Sequence, residues 1–134
     1  LGSSINISRV LKIKSNMDSG MFYGIQKGAI QALSSEIKWF NSLNVVYKRR
    51  RELVWELANI LKCKFDKNAK GLFVWAKLPN NIISSEEFIN DILIEKNIFI
   101  APGTVFGKNG EGYVRFSLCI DEKKILEAIK RFKK

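Results

Sequence analysis

The apolar residues of this chain change period along its length. Between Ile5 and Leu61 they recur every three or four positions, whereas Tyr113 to Cys119 alternates strictly. Val114, Phe116 and Leu118 fall on one side of that run, and Tyr113, Arg115, Ser117 and Cys119 on the other. Side chains repeat about every 3.6 residues on a helix and every 2 on a strand, so this switch constrains the fold more than any other feature. It predicts helices over about Ile5–Ser15, from Ile25 through Leu33, and over about Asn44–Leu61. The segment Ser15–Gly24, rich in Asn, Asp, Ser and Gly, breaks the first pattern and reads as a polar loop. After Asp66, Gly71–Leu78, Ile98–Ile100 and Tyr113–Cys119 read as strands. Ser84 with Glu87 makes a capping box before the stripe Phe88, Ile89, Ile92, Leu93, and Asp121 caps a last helix bearing Ile125, Leu126, Ile129 and Phe132.

These elements divide the 134 residues into two parts. Residues 41–134 have the order helix, strand, helix, strand, strand, helix, which predicts a two-layer α/β sandwich with helices on a small, mainly antiparallel sheet. Residues 1–40 are helical and too few to bury a core of their own.

Composition narrows the chemistry. There is no His, which excludes Ser-His-Asp and Cys-His nucleophile pairs and His-ligated zinc. Cys63 and Cys119 stand far apart without neighbouring ligand types, so neither a disulfide framework nor a metal is expected. No apolar run is long enough for a bilayer, and Leu1-Gly2-Ser3-Ser4 does not resemble a secretory signal; a cytoplasmic setting with no membrane partner is expected. Lys plus Arg number 23 against 13 Asp plus Glu, a net charge of +10. Such a charge favours nucleic-acid partners. However, Lys, Ile and Asn make up 45 of the 134 residues, a bias that AT-rich codons produce without any partner.

Arg115 lies in the middle of an otherwise apolar strand, on the side away from Val114, Phe116 and Leu118. Two readings are open: an arginine on a solvated sheet face, or a clamp whose planar guanidinium offers two parallel donors to a carboxylate. Gly107-Lys-Asn-Gly-Glu-Gly112 precedes a strand, not a helix, so it reads as a turn and not as a phosphate loop. Lys48-Arg49-Arg50-Arg51 reads as the solvated face of a helix, with nucleic-acid contact as the alternative. Glu86-Glu87 and Asp121-Glu122 open helices, where they complement the dipole. Asn16, Asp18 and Ser19 cluster in the polar loop and are better functional candidates than any charge on a helix face.

Four stretches then carry a resemblance. They are Lys14-Ser-Asn-Met-Asp-Ser-Gly-Met-Phe22 with Ile25-Gln-Lys-Gly-Ala29; Gly71-Leu-Phe-Val-Trp75; Ala101-Pro-Gly-Thr-Val-Phe-Gly107; and Gly110-Glu-Gly-Tyr-Val-Arg-Phe-Ser117. In order and spacing they resemble the C-terminal motifs of fold-type-I pyridoxal-phosphate aminotransferases, most nearly the aspartate and LL-diaminopimelate group. The resemblance covers essentially the whole chain and corresponds to about the last third of a family member. It implies amino-group transfer between an amino acid and a 2-oxo acid, pyridoxal phosphate as cofactor, and a homodimer. It also implies that residues 1–40 are the tail of a large cofactor-binding domain and residues 41–134 the small domain. By this resemblance Arg115 corresponds to the arginine that grips the substrate α-carboxylate as the small domain closes. Asn16 corresponds to a position that reaches across the dimer interface, so Asn16 to Phe22 would be a dimer-crossing loop. The family's Schiff-base motif, Ser-Lys followed by Gly-x-Arg-x-Gly, is absent. No lysine here is a candidate for that role, no catalytic residue is assigned, and the chain alone is expected neither to bind the cofactor nor to be active. Two rivals remain: a basic nucleic-acid-binding α/β module, and a non-catalytic regulatory protein with an aminotransferase-like tail.

Overall fold

Helices α1 (Ser4–Met17) and α2 (Tyr23–Leu33) precede the long α3 (Ile37–Ile60). There follow β1 (Lys64–Phe65), β2 (Phe73–Lys77), α4 (Ser85–Lys96), β3 (Ala101–Pro102), 3-10 turns at Gly103–Phe106 and Lys108–Gly110, β4 (Tyr113–Ser117) and α5 (Glu122–Lys133). The computed structural model describes residues 2–133. The chain divides into two units, Leu1–Phe40 and Asn41–Lys134.

In the first unit, Ser3 caps α1 by accepting the Asn6 N–H. The helix runs two residues past the predicted end, so Ser15 and Asn16 are helical and not part of a loop. Their side chains, which usually favour turns, are satisfied within the helix: Ser15 Oγ (3.3 Å) and Asn16 Nδ2 (2.7 Å) both donate to the Lys12 carbonyl. The chain leaves the helix at Asp18, whose carboxylate takes the Gly20 N–H and the Lys14 ammonium. No residue of α1 or α2 is buried, and Val10, Leu11 and Ile25 are each more than half exposed. Helix α3 begins seven residues before the predicted Asn44, because Trp39, Phe40 and Leu43 extend the same apolar spacing.

In the second unit the strands lie in the order β1-β2-β4-β3, all neighbours antiparallel. The central pair sets Val74 opposite Phe116, Trp75 opposite Arg115 and Ala76 opposite Val114. Alternation then does what it predicts. Val74, Ala76, Val114, Phe116 and Leu118 are buried, packed with Val54, Leu57 and Ala58 of α3, Ile89 and Ile92 of α4, and Ile125 and Ile129 of α5. Each fully buried Val, Leu, Ile or Phe among these contributes about 1.5–3 kcal/mol. The other side of the sheet is left to Phe73, Trp75 and Arg115. Thus the second unit is the two-layer α/β sandwich with an antiparallel sheet.

One strand differs from expectation. Ile98–Ile100 is not a strand; the pairing with β4 is made by Ala101 and Pro102. Ile100 is buried and Phe99 exposed, so the segment alternates because it lies on the core, without ladder hydrogen bonds. Pro102, which has no N–H to donate, is tolerated because β3 is an edge strand. The two-residue β1 was not anticipated. Both predicted caps are present: Ser84 Oγ accepts from the Glu87 N–H (3.2 Å), and Asp121 Oδ1 from the Lys123 N–H (2.8 Å).

The basic run on α3 is solvated at Lys48 and Arg49 and half-buried at Arg50 and Arg51, and its three arginines have partners. Arg49 Nε binds Glu122 at 2.7 Å, Arg50 donates to the Leu118 carbonyl at 3.1 Å, and Arg51 donates to the carbonyls of Ala69 and Gly71. These arginines tie α3 to the end of β4, to α5 and to the loop before β2. Among the described residues no helix is long and apolar enough to cross a membrane.

Candidate functional site

Strand β4 holds Arg115 between β2 and β3, opposite Trp75 on one side and Ala101 on the other. Because its neighbours Val114 and Phe116 point into the core, the two-residue period turns Arg115 to the open side of the sheet. Phe73, two residues from Trp75 on β2, is its diagonal neighbour there, within the reach of long side chains. The guanidinium Cζ lies 4.1 Å from the centre of the Phe73 ring and 4.2 Å from that of Phe106, which comes from the first 3-10 turn. Trp75 continues the aromatic wall, edge-on to Phe106 and stacked on Tyr113, each at 5.7 Å.

The two rings hold the cation by its π faces. Such contacts are worth about 0.5–1 kcal/mol each where partly exposed. Arg115 has no hydrogen bond or ion pair among the described residues. All the other arginines of this unit have such a partner. A half-buried guanidinium beside two rings, with its donors unpaired, can take a planar anion in bidentate fashion, and a carboxylate fits that fork.

Asn16, the second candidate from the sequence, sits in the last turn of α1 in the first unit. Its amide nitrogen is turned back to the Lys12 carbonyl. Nearby, Lys14 holds the Asp18 carboxyl below its ordinary value. The stacking partner Phe106 was not legible from periodicity, since no strand or helix register connects position 106 to 115. Phe73 was half legible: its face followed from alternation, its distance to Arg115 only from the strand register. The glycine-rich segment is a turn, with φ of 115° at Gly107 and 78° at Gly112.

No family model matches the chain. Individual proteins do. An LL-diaminopimelate aminotransferase of Maridesulfovibrio salexigens is 35% identical over 134 residues, which is 100% of this chain and 34% of that protein. Among solved structures, an aminotransferase from Staphylococcus aureus is 36% identical with a TM-score of 0.69, over 90% of this chain and 32% of that one. An aromatic aminotransferase from Pyrococcus horikoshii OT3 is 32% identical with a TM-score of 0.69, over 81% of this chain and 30% of that one. The fold is thus that of a small α/β domain of aminotransferases. The chain corresponds to the C-terminal portion of a pyridoxal-phosphate aminotransferase, with LL-diaminopimelate aminotransferases among the relatives it matches. It spans about a third of the length of the curated relatives it matches.

Proposed function

We propose that this chain is the substrate-gripping C-terminal part of an enzyme that transfers an amino group from an amino acid to a 2-oxo acid, with Arg115 as the residue that binds the substrate α-carboxylate. The observation that carries this reading is the Arg115 guanidinium lying 4.1 and 4.2 Å from the ring centres of Phe73 and Phe106, with no hydrogen bond or ion pair among the described residues. Two parallel N–H bonds to a carboxylate would fix the orientation of Cα, so that its C–H bond stands where a base can reach it. A clamp placed on the small domain also couples substrate binding to closure of that domain over the site. In this reading Leu1–Phe40 is the tail of the large domain, the loop that follows Asn16 crosses to a second subunit of a homodimer, and the protein acts in the cytoplasm.

Pyridoxal phosphate would supply the electron sink in the whole enzyme. The groups around Arg115 are one guanidinium and the rings of Phe73, Trp75, Phe106 and Tyr113, and the strand faces there carry no carboxylate to pair with a pyridine nitrogen. These residues fit the substrate's carboxylate and not the cofactor, whose lysine and ring contacts belong to the part of the enzyme outside this chain. The test is the full-length protein supplied with pyridoxal phosphate, 2-oxoglutarate and a panel of donors: LL-diaminopimelate, aspartate, methionine and phenylalanine. The relatives' names make LL-diaminopimelate and an aromatic donor the first to try. Glutamate formation from at least one donor is expected. No transfer from any of them, with cofactor bound, would sink the proposal.

A further inference from the structure

The ring that covers one face of Arg115 depends on a loop, and the loop is fastened from behind. Phe106 lies in the segment Gly103–Gly112, which joins β3 to β4. Two side-chain links tie that segment to the first turn of α4. Thr104 Oγ1 donates to Glu86 Oε1 at 2.8 Å. At the other end, Glu111 Oε1 accepts the Ser85 N–H at 2.8 Å, the Ser85 hydroxyl at 2.6 Å and the Gly112 N–H at 2.9 Å. Ser85 is the only buried polar residue among the described ones. Its Oγ also accepts the Gly112 N–H at 2.8 Å, so donor and acceptor capacity of that hydroxyl are both used. Between the two links the segment is drawn together backbone on backbone: a Cβ on Gly103 would stand 2.1 Å from the Gly110 carbonyl oxygen, and a Cβ on Gly110 1.9 Å from that of Gly103. Both glycines are buried and leave no room for a side chain.

Burial does little to hold Phe106, since its ring is about half exposed and Val105 beside it is 68% exposed. Besides Arg115 the ring meets the edge of Trp75, and the path of the loop that brings it there is set by the closed Gly103–Gly110 contact and the two links to α4.

We propose that Glu111 is a positioning residue for substrate binding: through Ser85 it holds the Gly103–Gly112 loop closed, and the closed loop keeps Phe106 over Arg115 so that the guanidinium presents its donor edge in one plane. This rests on the reading of Arg115 as the carboxylate clamp. Released from Phe106, the guanidinium would be hydrated on one face and free to turn, and the carboxylate would meet a mobile cation in place of a fixed fork.

The experiment is steady-state kinetics on the full-length protein with 2-oxoglutarate and LL-diaminopimelate, or the donor of the panel above that turns over fastest. The variants are Glu111→Ala, Glu111→Gln, Phe106→Ala, Arg115→Lys and the double variant Glu111→Ala/Phe106→Ala. Glu111→Ala and Phe106→Ala should each raise KM for the donor about five- to tenfold, with kcat changed less. The double variant should be no worse than Phe106→Ala alone, because Glu111 acts only by way of that ring. Glu111→Gln, which keeps the acceptor oxygen, should stay within about twofold of wild type. Should Glu111→Ala not fold, Ser85→Ala takes its place, with the same requirement of non-additivity with Phe106→Ala. Effects that multiply in the double variant, or a wild-type KM for Phe106→Ala, would overturn the proposal while leaving the clamp intact, provided Arg115→Lys is impaired. A wild-type Arg115→Lys would overturn the clamp itself, and this inference with it.

Discussion

Replacing Arg115 by lysine in the full-length protein separates binding chemistry from packing. The substitution keeps the positive charge and most of the aliphatic stem. What it removes is the planar fork, whose two parallel donors a single ammonium cannot reproduce. A hydrogen bond to a charged group is worth about 1.5–3 kcal/mol, so losing one of the two should lower kcat/KM by roughly one to two decades. The cost to folding follows from the contacts on the page. Among the described residues Arg115 has no ion pair or hydrogen bond to lose. Its two ring contacts, at 4.1 and 4.2 Å, are worth about 0.5–1 kcal/mol each, and an ammonium over the same rings retains part of that. The strand's packing comes from Val114, Phe116 and Leu118 on the other face, all buried. A stability loss below about 1 kcal/mol is therefore expected, a few degrees in melting temperature at most. The assay pairs kcat/KM for donor and acceptor with a thermal melt of each protein. Kinetics close to wild type would return Arg115 to a solvated sheet face. A large fall in melting temperature with a proportionate fall in activity would make it a structural residue.

Three further outcomes are expected. The Glu111 carboxyl is held below its ordinary value of 4.5 by its bonds from the Ser85 hydroxyl and N–H and the Gly112 N–H. Its stabilisation is therefore present above about pH 4.5 and is lost as pH falls through the depressed value; urea melts of wild type and Glu111→Gln should differ at pH 7 and converge once acid has protonated the carboxyl. Gly110→Ala forces a methyl against the Gly103 carbonyl, 1.9 Å away in the present backbone, and should destabilise the fold by about 1–3 kcal/mol or displace the loop; an unchanged urea midpoint would contradict the backbone contact. Burial pushes the Cys63 thiol up to about 11, whereas Cys119 is exposed. One thiol per chain should react promptly with a disulfide reagent at neutral pH and the second only on unfolding; two fast thiols would mean that the α3–β1 corner opens readily.

In the second unit periodicity located the helices and the two central strands because each buries one face. The alternation at 113–119 told which side of β4 meets the core, and so which side Arg115 takes. Where burial and pairing part company, the same signal misled: Ile98–Ile100 alternates on the core without a ladder, and the pairing passed to Ala101–Pro102. The helix ends were missed at Ser15 and Asn16 because residues with turn-forming side chains returned their bonds to Lys12. The loop behind the site was the least legible part. Ser85 and Glu111 lie 26 positions apart, and nothing in spacing or residue type pairs a serine in a helix's first turn with a glutamate in a glycine-rich turn.

The same contacts bear on the nucleic-acid reading of the +10 charge. A phosphate-binding surface needs guanidinium groups free at its face, and arginine is the residue best shaped for that grip. In the second unit Arg49, Arg50, Arg51 and Arg131 are spent on Glu122, on backbone carbonyls and on Glu127, which fasten α3 and α5 to the sheet, to the loop before β2 and to the end of α4. That leaves Arg115 as the arginine of this unit with unpaired donors among the described residues, and it lies against the rings of Phe73 and Phe106. The aromatic face could still stack bases, but base-stacking surfaces place several cations beside the rings to hold the backbone. On the strands here the other cations on that face are Lys77 and its partner Lys64 on β1, both toward the β1 edge of the sheet and away from β3. The rest of the charge is carried by lysines distributed over helices, strands and loops, as codon bias alone would leave them.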